Sequence, residues 1–140
     1  NKDRSIFRKN IGRAILNKRN DPFLLHWNID LTERKTKDKF AHLIDLDYQK
    51  LVEKEVTEYI QQNISFSVIK VNDKQDRLDI EAKLIGTVSC CEQCIGSSKW
   101  LGLNSPIAKI SQSGLWQVQK RYKEAHTLRE IQEFRKNFIE

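Results

Sequence analysis

The stretch Ile64-Ser65-Phe66-Ser67-Val68-Ile69-Lys70-Val71 alternates apolar and polar side chains over its first five positions. That is the period of a strand with one buried face. Upstream, residues 48–62 set Leu51, Val52, Val56, Tyr59 and Ile60 at helical spacing with charges between them, and Asn63 suits the end of that helix. Downstream, Asn72 and Asp73 open a turn into a second helical pattern over residues 78–88. Two further apolar runs, 23–29 and 40–46, read as strands. The expectation is an α/β (α+β) fold, with a small mixed or antiparallel sheet flanked by helices.

The flanks add helices. Ser5 is placed to cap a first helix reaching about residue 17, with Ile6, Phe7, Ile11, Ala14 and Ile15 as its apolar stripe. Arg4, Arg8, Lys9, Arg13, Lys18 and Arg19 cover the rest of it, and Asn20-Asp21-Pro22 breaks the pattern. Residues 30–39 are polar enough for a loop or a hairpin end, and residues 90–104 have no period. Ser105-Pro106 suits a helix start and Gly114 a stop. Thr127 and Glu130 form a capping box ahead of a terminal helix with Leu128, Ile131, Phe134 and Phe138 on one side.

Hydrophobic residues make up 39% and charged residues 31% of the 140, ordinary values that argue against wholesale disorder. No apolar run approaches the roughly 18–20 residues of a membrane helix, and the polar, basic start is not a signal peptide. A cytoplasmic protein without membrane contact is expected. The chain opens on Asn1 rather than Met, so a preceding segment is expected as well. The net charge of +6 is uneven: residues 1–39 carry eleven Lys/Arg against five Asp/Glu, residues 40–87 six against nine, and residues 88–140 eight against five. Basic ends around an acidic middle suit an elongated anion such as nucleic acid, and equally suit a solvated Lys/Arg surface.

Glu81 is the candidate site residue. At about 100° per residue, Leu78, Ala82, Leu84, Ile85 and Val88 fall on one arc, with Glu81 inside it. A buried carboxylate is tolerated only when paired, neutralised or bound to a metal. The alternative is a salt bridge to a nearby Lys or Arg. Cys90, Cys91 and Cys94 offer one Cys-x-x-Cys pair without a second, which argues against a tetrahedral zinc site. Trp100-Leu101-Gly102 and Gly114-Leu115-Trp116 suit a small packed cluster better than base stacking. Lys99, Lys109 and Lys120 near them are available for phosphates.

Taken in order, these segments resemble a known family. The basic helix Ile6-Phe7-Arg8-Lys9-Asn10-Ile11-Gly12-Arg13-Ala14-Ile15-Leu16, the acidic helix ending near Tyr59, the strand Ser65-Phe66-Ser67-Val68-Ile69 and the segment Leu78-Asp79-Ile80-Glu81-Ala82-Lys83-Leu84-Ile85 look like the latter two-thirds of a GIY-YIG nuclease domain. The likeness covers roughly residues 4–90. The Cys-Cys-Glu-Gln-Cys to Gly-Leu-Trp segment is similar to a helical C-terminal extension, so a partial nuclease domain over 1–90 and an extension over 91–140 are expected. The two tyrosine-bearing strands that give the family its name are not in this sequence.

The resemblance implies a function: hydrolysis of DNA phosphodiester bonds by an endonuclease of restriction or defence type. It implies Mg²⁺ or Mn²⁺ as cofactor, Glu81 as the metal ligand, and an arginine, Arg8 or Arg13, steadying the transition state. Arg4, Arg8, Lys9, Arg13 and Lys99 are the expected nucleic-acid contacts. Two other readings stand beside it: a basic nucleic-acid-binding domain of the same fold without catalysis, and a structural or protein-interaction domain.

Overall fold

The computed structural model describes residues 1–93, 95–119 and 124–136. Among them the regular structure is helical, and no strand forms. The expected sheet is therefore a misreading. The residues group into two compact units, one of Asn1–Ile64 with Gly96–Trp116, the other of Ser65–Ile95 with Gln117–Glu140.

The first unit is built on α1 (Ile6–Lys18). Ser5 caps it as expected, its hydroxyl accepting from the Arg8 amide at 3.3 Å. Ile11, Ala14 and Leu16 are fully buried along α1, and Ile15 packs at the edge of the same cluster. Residues 23–29, expected as a strand, form α2 (Leu24–Asn28) instead. Asp21 starts the turn by accepting from the Phe23 amide at 2.9 Å. Phe23 and Trp27, four apart, are both buried while Leu25 between them is 74% exposed. A strand would have put all three on one face; helical spacing buries only the two aromatics.

Trp27 explains why α1 carries a glycine. A Cβ at Gly12 would lie 2.2 Å from the Trp27 ring, so the indole rests on bare backbone. Its N–H donates to the Lys9 carbonyl at 3.0 Å. Next come α3 (Arg34–Phe40), in the stretch expected as a loop, and a 3-10 turn over Ala41–Leu43 where a second strand was expected. Ile44, buried, is the only part of the 40–46 run that joins the core. Asp45 caps α4 (Leu46–Asn63), which buries Val52 and Val56 against α1.

A further 3-10 turn (Leu101–Asn104) and α6 (Ala108–Ser111) complete this unit. The Asn17 amide donates to the Asn104 carbonyl at 2.9 Å, fastening the turn to α1. Trp100 and Trp116 meet edge-on at 5.3 Å, and Trp116 also meets Phe7 and Tyr59. The two tryptophans thus pack, as their spacing suggested.

Ile64 is extended (φ −127°, ψ 123°), yet residues 64–72 take no regular structure. Phe66 and Val68 remain 89% and 64% exposed. Alternation supplies a strand's faces, but its backbone needs a neighbouring ladder. None is present among the described residues, so the period goes unused.

In the second unit, Asp73 caps α5 (Lys74–Ser89), accepting from the Gln75 and Asp76 amides. The capping box ahead of α7 (Leu128–Arg135) forms as expected: Glu130 accepts from the Thr127 amide at 2.7 Å and Thr127 from the Glu130 amide at 3.3 Å. Lys83 on α5 reaches Glu130 at 2.9 Å, and Thr87 accepts from the His126 amide at 2.7 Å. Cys94, Lys120, Tyr122 and Phe138 lie outside the described residues.

Two outcomes follow from these contacts. Gly12→Ala drives a methyl into Trp27 and is expected to destabilise the fold by about 1–3 kcal/mol, read as a lower urea midpoint with an unchanged slope. The Lys83 hydrogen bond, then those of Thr127, hold the Glu130 carboxyl down to about 2 from 4.5. Its contribution is complete above pH 4.5 and is lost as pH falls towards 2. An NMR titration of the Glu130 side chain should find its midpoint near 2, and Lys83→Met should raise it.

Candidate functional site

The cations of α1 divide into those that are neutralised and those that are not. Arg8 is neutralised. Its Nη2 reaches Glu53 Oε2 at 2.8 Å, the Glu53 carbonyl at 3.0 Å and Thr57 Oγ1 at 2.8 Å, and its Nε reaches the same carboxylate at 3.2 Å. Both side chains are largely buried, at 22% and 18% exposed. The Lys2 backbone amide also donates to Glu53. Arg8 therefore ties α1 to α4.

Lys9 is buried and pairs with Asp3 at 3.5 Å. Asp3 also takes a hydrogen bond from Lys2 Nζ at 2.7 Å. Lys2 is fully buried, donates to the Ile29 carbonyl at 2.7 Å and sits 5.6 Å from the Trp27 ring centre. Burial pulls its ammonium below the usual lysine range. Nothing in the local pattern marks Lys2 as interior; tertiary packing, including the Trp27 ring and the Ile29 carbonyl, covers it.

Arg13 differs. Its Nε donates to Asn28 Oδ1 at 2.7 Å and its Nη1 to Asn10 Oδ1 at 2.8 Å. Both acceptors are neutral amides, so among the described residues the guanidinium is oriented without being neutralised. Partial burial draws it below its usual range, and it stays charged at neutral pH. Arg4 is exposed at the foot of the same helix, and Lys99 is exposed in the loop before the Trp100 turn.

In the second unit Glu81 does not face inward. It is exposed, on the side of α5 that also carries Leu78, Leu84 and Val88, which are 41%, 37% and 39% exposed. The face with Lys83 and Thr87 is the one engaged by residues 126–130. Apolar residues occur on both sides of α5, so the wheel alone favours the wrong one. Cys90 is exposed and Cys91 half-buried at the end of α5.

A family model described as the GIY-YIG domain matches residues 1–138. The chain belongs to the GIY-YIG domain family. No curated protein and no solved structure matched it.

Within this GIY-YIG domain, Arg4, Arg8, Lys9 and Arg13 share α1 and its approach, with Lys99 in the same unit, while Glu81 belongs to the other unit. Among the described residues no group of three or more His, Cys, Asp or Glu side chains is placed to hold a metal ion, and no helix is long and apolar enough to cross a membrane. Glu81 is an exposed carboxylate, a hard-oxygen ligand type. That fits Mg²⁺ in kind, since it keeps several waters and takes one or two carboxylates.

The Arg8 contacts carry their own test. Arg8→Ala leaves Glu53 without its guanidinium and should lower stability by about 1–3 kcal/mol in urea denaturation. Arg8→Lys should recover less than half of that loss, because an ammonium cannot span the Glu53 carboxylate and Thr57 together.

Proposed function

We propose that this GIY-YIG domain acts on DNA as a divalent-metal-dependent endonuclease, with Glu81 as the ligand for Mg²⁺ or Mn²⁺ and Arg13 as the phosphate-contacting guanidinium. Arg13 carries the reading. A charged, partly buried guanidinium held by two neutral amides retains hydrogens on Nη1 and Nη2 for an anion. The family match supports a nuclease-like chemistry for that anion.

When bound, the cation would supply Lewis-acid polarisation of a phosphoryl oxygen. Arg13, in the first unit, would hold a phosphate oxygen of the DNA backbone, pre-oriented for it by Asn28 and Asn10. Arg8 would act indirectly, by fixing α1 on α4. Arg4 and Lys9 are weaker contacts, since Arg4 is exposed and Lys9 is occupied by Asp3.

The second reading is a DNA-binding domain without catalysis. It is favoured by Arg8, whose guanidinium is already engaged by Glu53 and Thr57.

A plasmid-nicking assay separates the two. The endonuclease reading expects nicking that requires Mg²⁺ or Mn²⁺ and falls by at least about a hundredfold in Glu81→Ala, with Arg13→Ala weakening DNA binding and nicking together. Equal nicking after Glu81→Ala would sink it. Tight binding with no metal-dependent nicking would establish the second reading.

A further inference from the structure

At the C-terminal end of α1 the first unit forms a groove of about 490 Å³ between α1, the end of α4 and the loop before the Trp100 turn. Ile15 and Leu101 supply its apolar floor, and Lys18, Lys99, Tyr59 and Asn63 its polar rim. We propose that this groove is a phosphate site, separate from the Arg13 position, that takes a phosphodiester of a nucleic-acid backbone.

The donors outnumber the acceptors. Neither Lys18 nor Lys99 has a carboxylate within ion-pair distance among the described residues, although most cations of this unit's core helices are paired. Arg19 beside them shows the contrast. Its guanidinium is consumed by Asp21 at 3.0 Å, Glu55 at 2.9 Å and the Tyr48 hydroxyl at 3.0 Å, so it lines the groove without offering it a free charge. Lys18 alone would be explained by its place in the last turn of α1, where a cation suits the helix dipole. Lys99 comes from a different element, and the dipole does not account for it.

Tyr59 is the third donor. Trp116 packs edge-on against the Tyr59 ring at 6.2 Å, fixing its direction. The Tyr59 hydroxyl lines the groove, and among the described residues no hydrogen bond takes its proton. Asn63, one helical turn on, spends one amide hydrogen on the Tyr59 carbonyl at 2.9 Å and keeps another. Two ammonium groups, a phenol proton and an amide proton around an apolar floor match a phosphate with an attached sugar face.

The identification of the anion as nucleic acid rests on the reading given above; the convergence of donors does not. The test is binding of a short fluorescein-labelled DNA duplex, followed by anisotropy over a salt series with metal left out. The paired change Lys18→Gln/Lys99→Gln should weaken binding on the order of tenfold at low salt and flatten the salt slope by about 2. Tyr59→Phe, which removes the hydroxyl and keeps the ring, should cost about three- to tenfold. Should Tyr59→Phe loosen the fold, the exposed lysine pair still decides.

Unchanged affinity and slope in the lysine pair would overturn the proposal. So would wild-type protein that fails to bind at low salt, or pyrophosphate binding that depends on both lysines while DNA binding does not. Groove-dependent binding without metal-dependent nicking would remove the endonuclease reading and leave the groove standing. Nicking that depends on Glu81 but not on the lysines would do the reverse.

Discussion

Trp27 lies against α1 at Gly12 with no exposed surface, and its indole N–H is given to the Lys9 carbonyl. An aromatic of this size contributes most of its stabilisation when fully buried, and its N–H must then find a partner. The approach taken here meets both demands over a residue without a side chain, where a Cβ would strike the ring. This contact seats α2 on α1 and buries Lys2. Through Ile29 it also aligns the chain that leads to α3. The Arg8 to Glu53 clamp holds α4 on the neighbouring side of the same helix.

The charge pattern follows from that packing. A surplus of cations along the first 39 residues suggests one broad basic surface, but the fold sorts them. Arg8, Lys9 and Arg19 are drawn into ion pairs with Glu53, Asp3 and Glu55, where they serve cohesion. Arg13, Lys18 and Lys99 have no carboxylate beside them among the described residues. Net charge says little about which lysine or arginine meets a ligand; the distribution of acidic partners says more.

Legibility in the sequence tracked how local the deciding contact was. Ser5 and the Thr127/Glu130 box act within four residues of their helices and read from the sequence as caps, while Asp73, equally local, reads only as the turn ahead of α5. Residues 23–29 were not, because a short apolar run has no intrinsic choice between periods until Trp27 finds Gly12. Residues 64–71 carry a true alternation, but a strand is made by its neighbours and none is present among the described residues. Glu81 illustrates the same limit on a helix: α5 is clear, but which side is covered depends on Lys83 and Thr87 meeting residues about forty positions away. For the candidate site, Arg13 was named with Arg8 and could not be separated from it, since Asn28 and Glu53 enter only through tertiary packing.

Helix α3 stands apart from this economy. None of its residues is buried, and its one internal ion pair, Arg34 to Asp38 at 3.9 Å, is exposed. Opening such a segment forfeits almost no apolar burial, so it belongs to the low end of the local-stability range. Four of its seven residues are lysine or arginine. A trypsin-like protease therefore meets its preferred cleavage points in an element with little burial to resist unwinding, with the Trp27 contact on one side of the nick and α4 on the other still holding the cut ends in place.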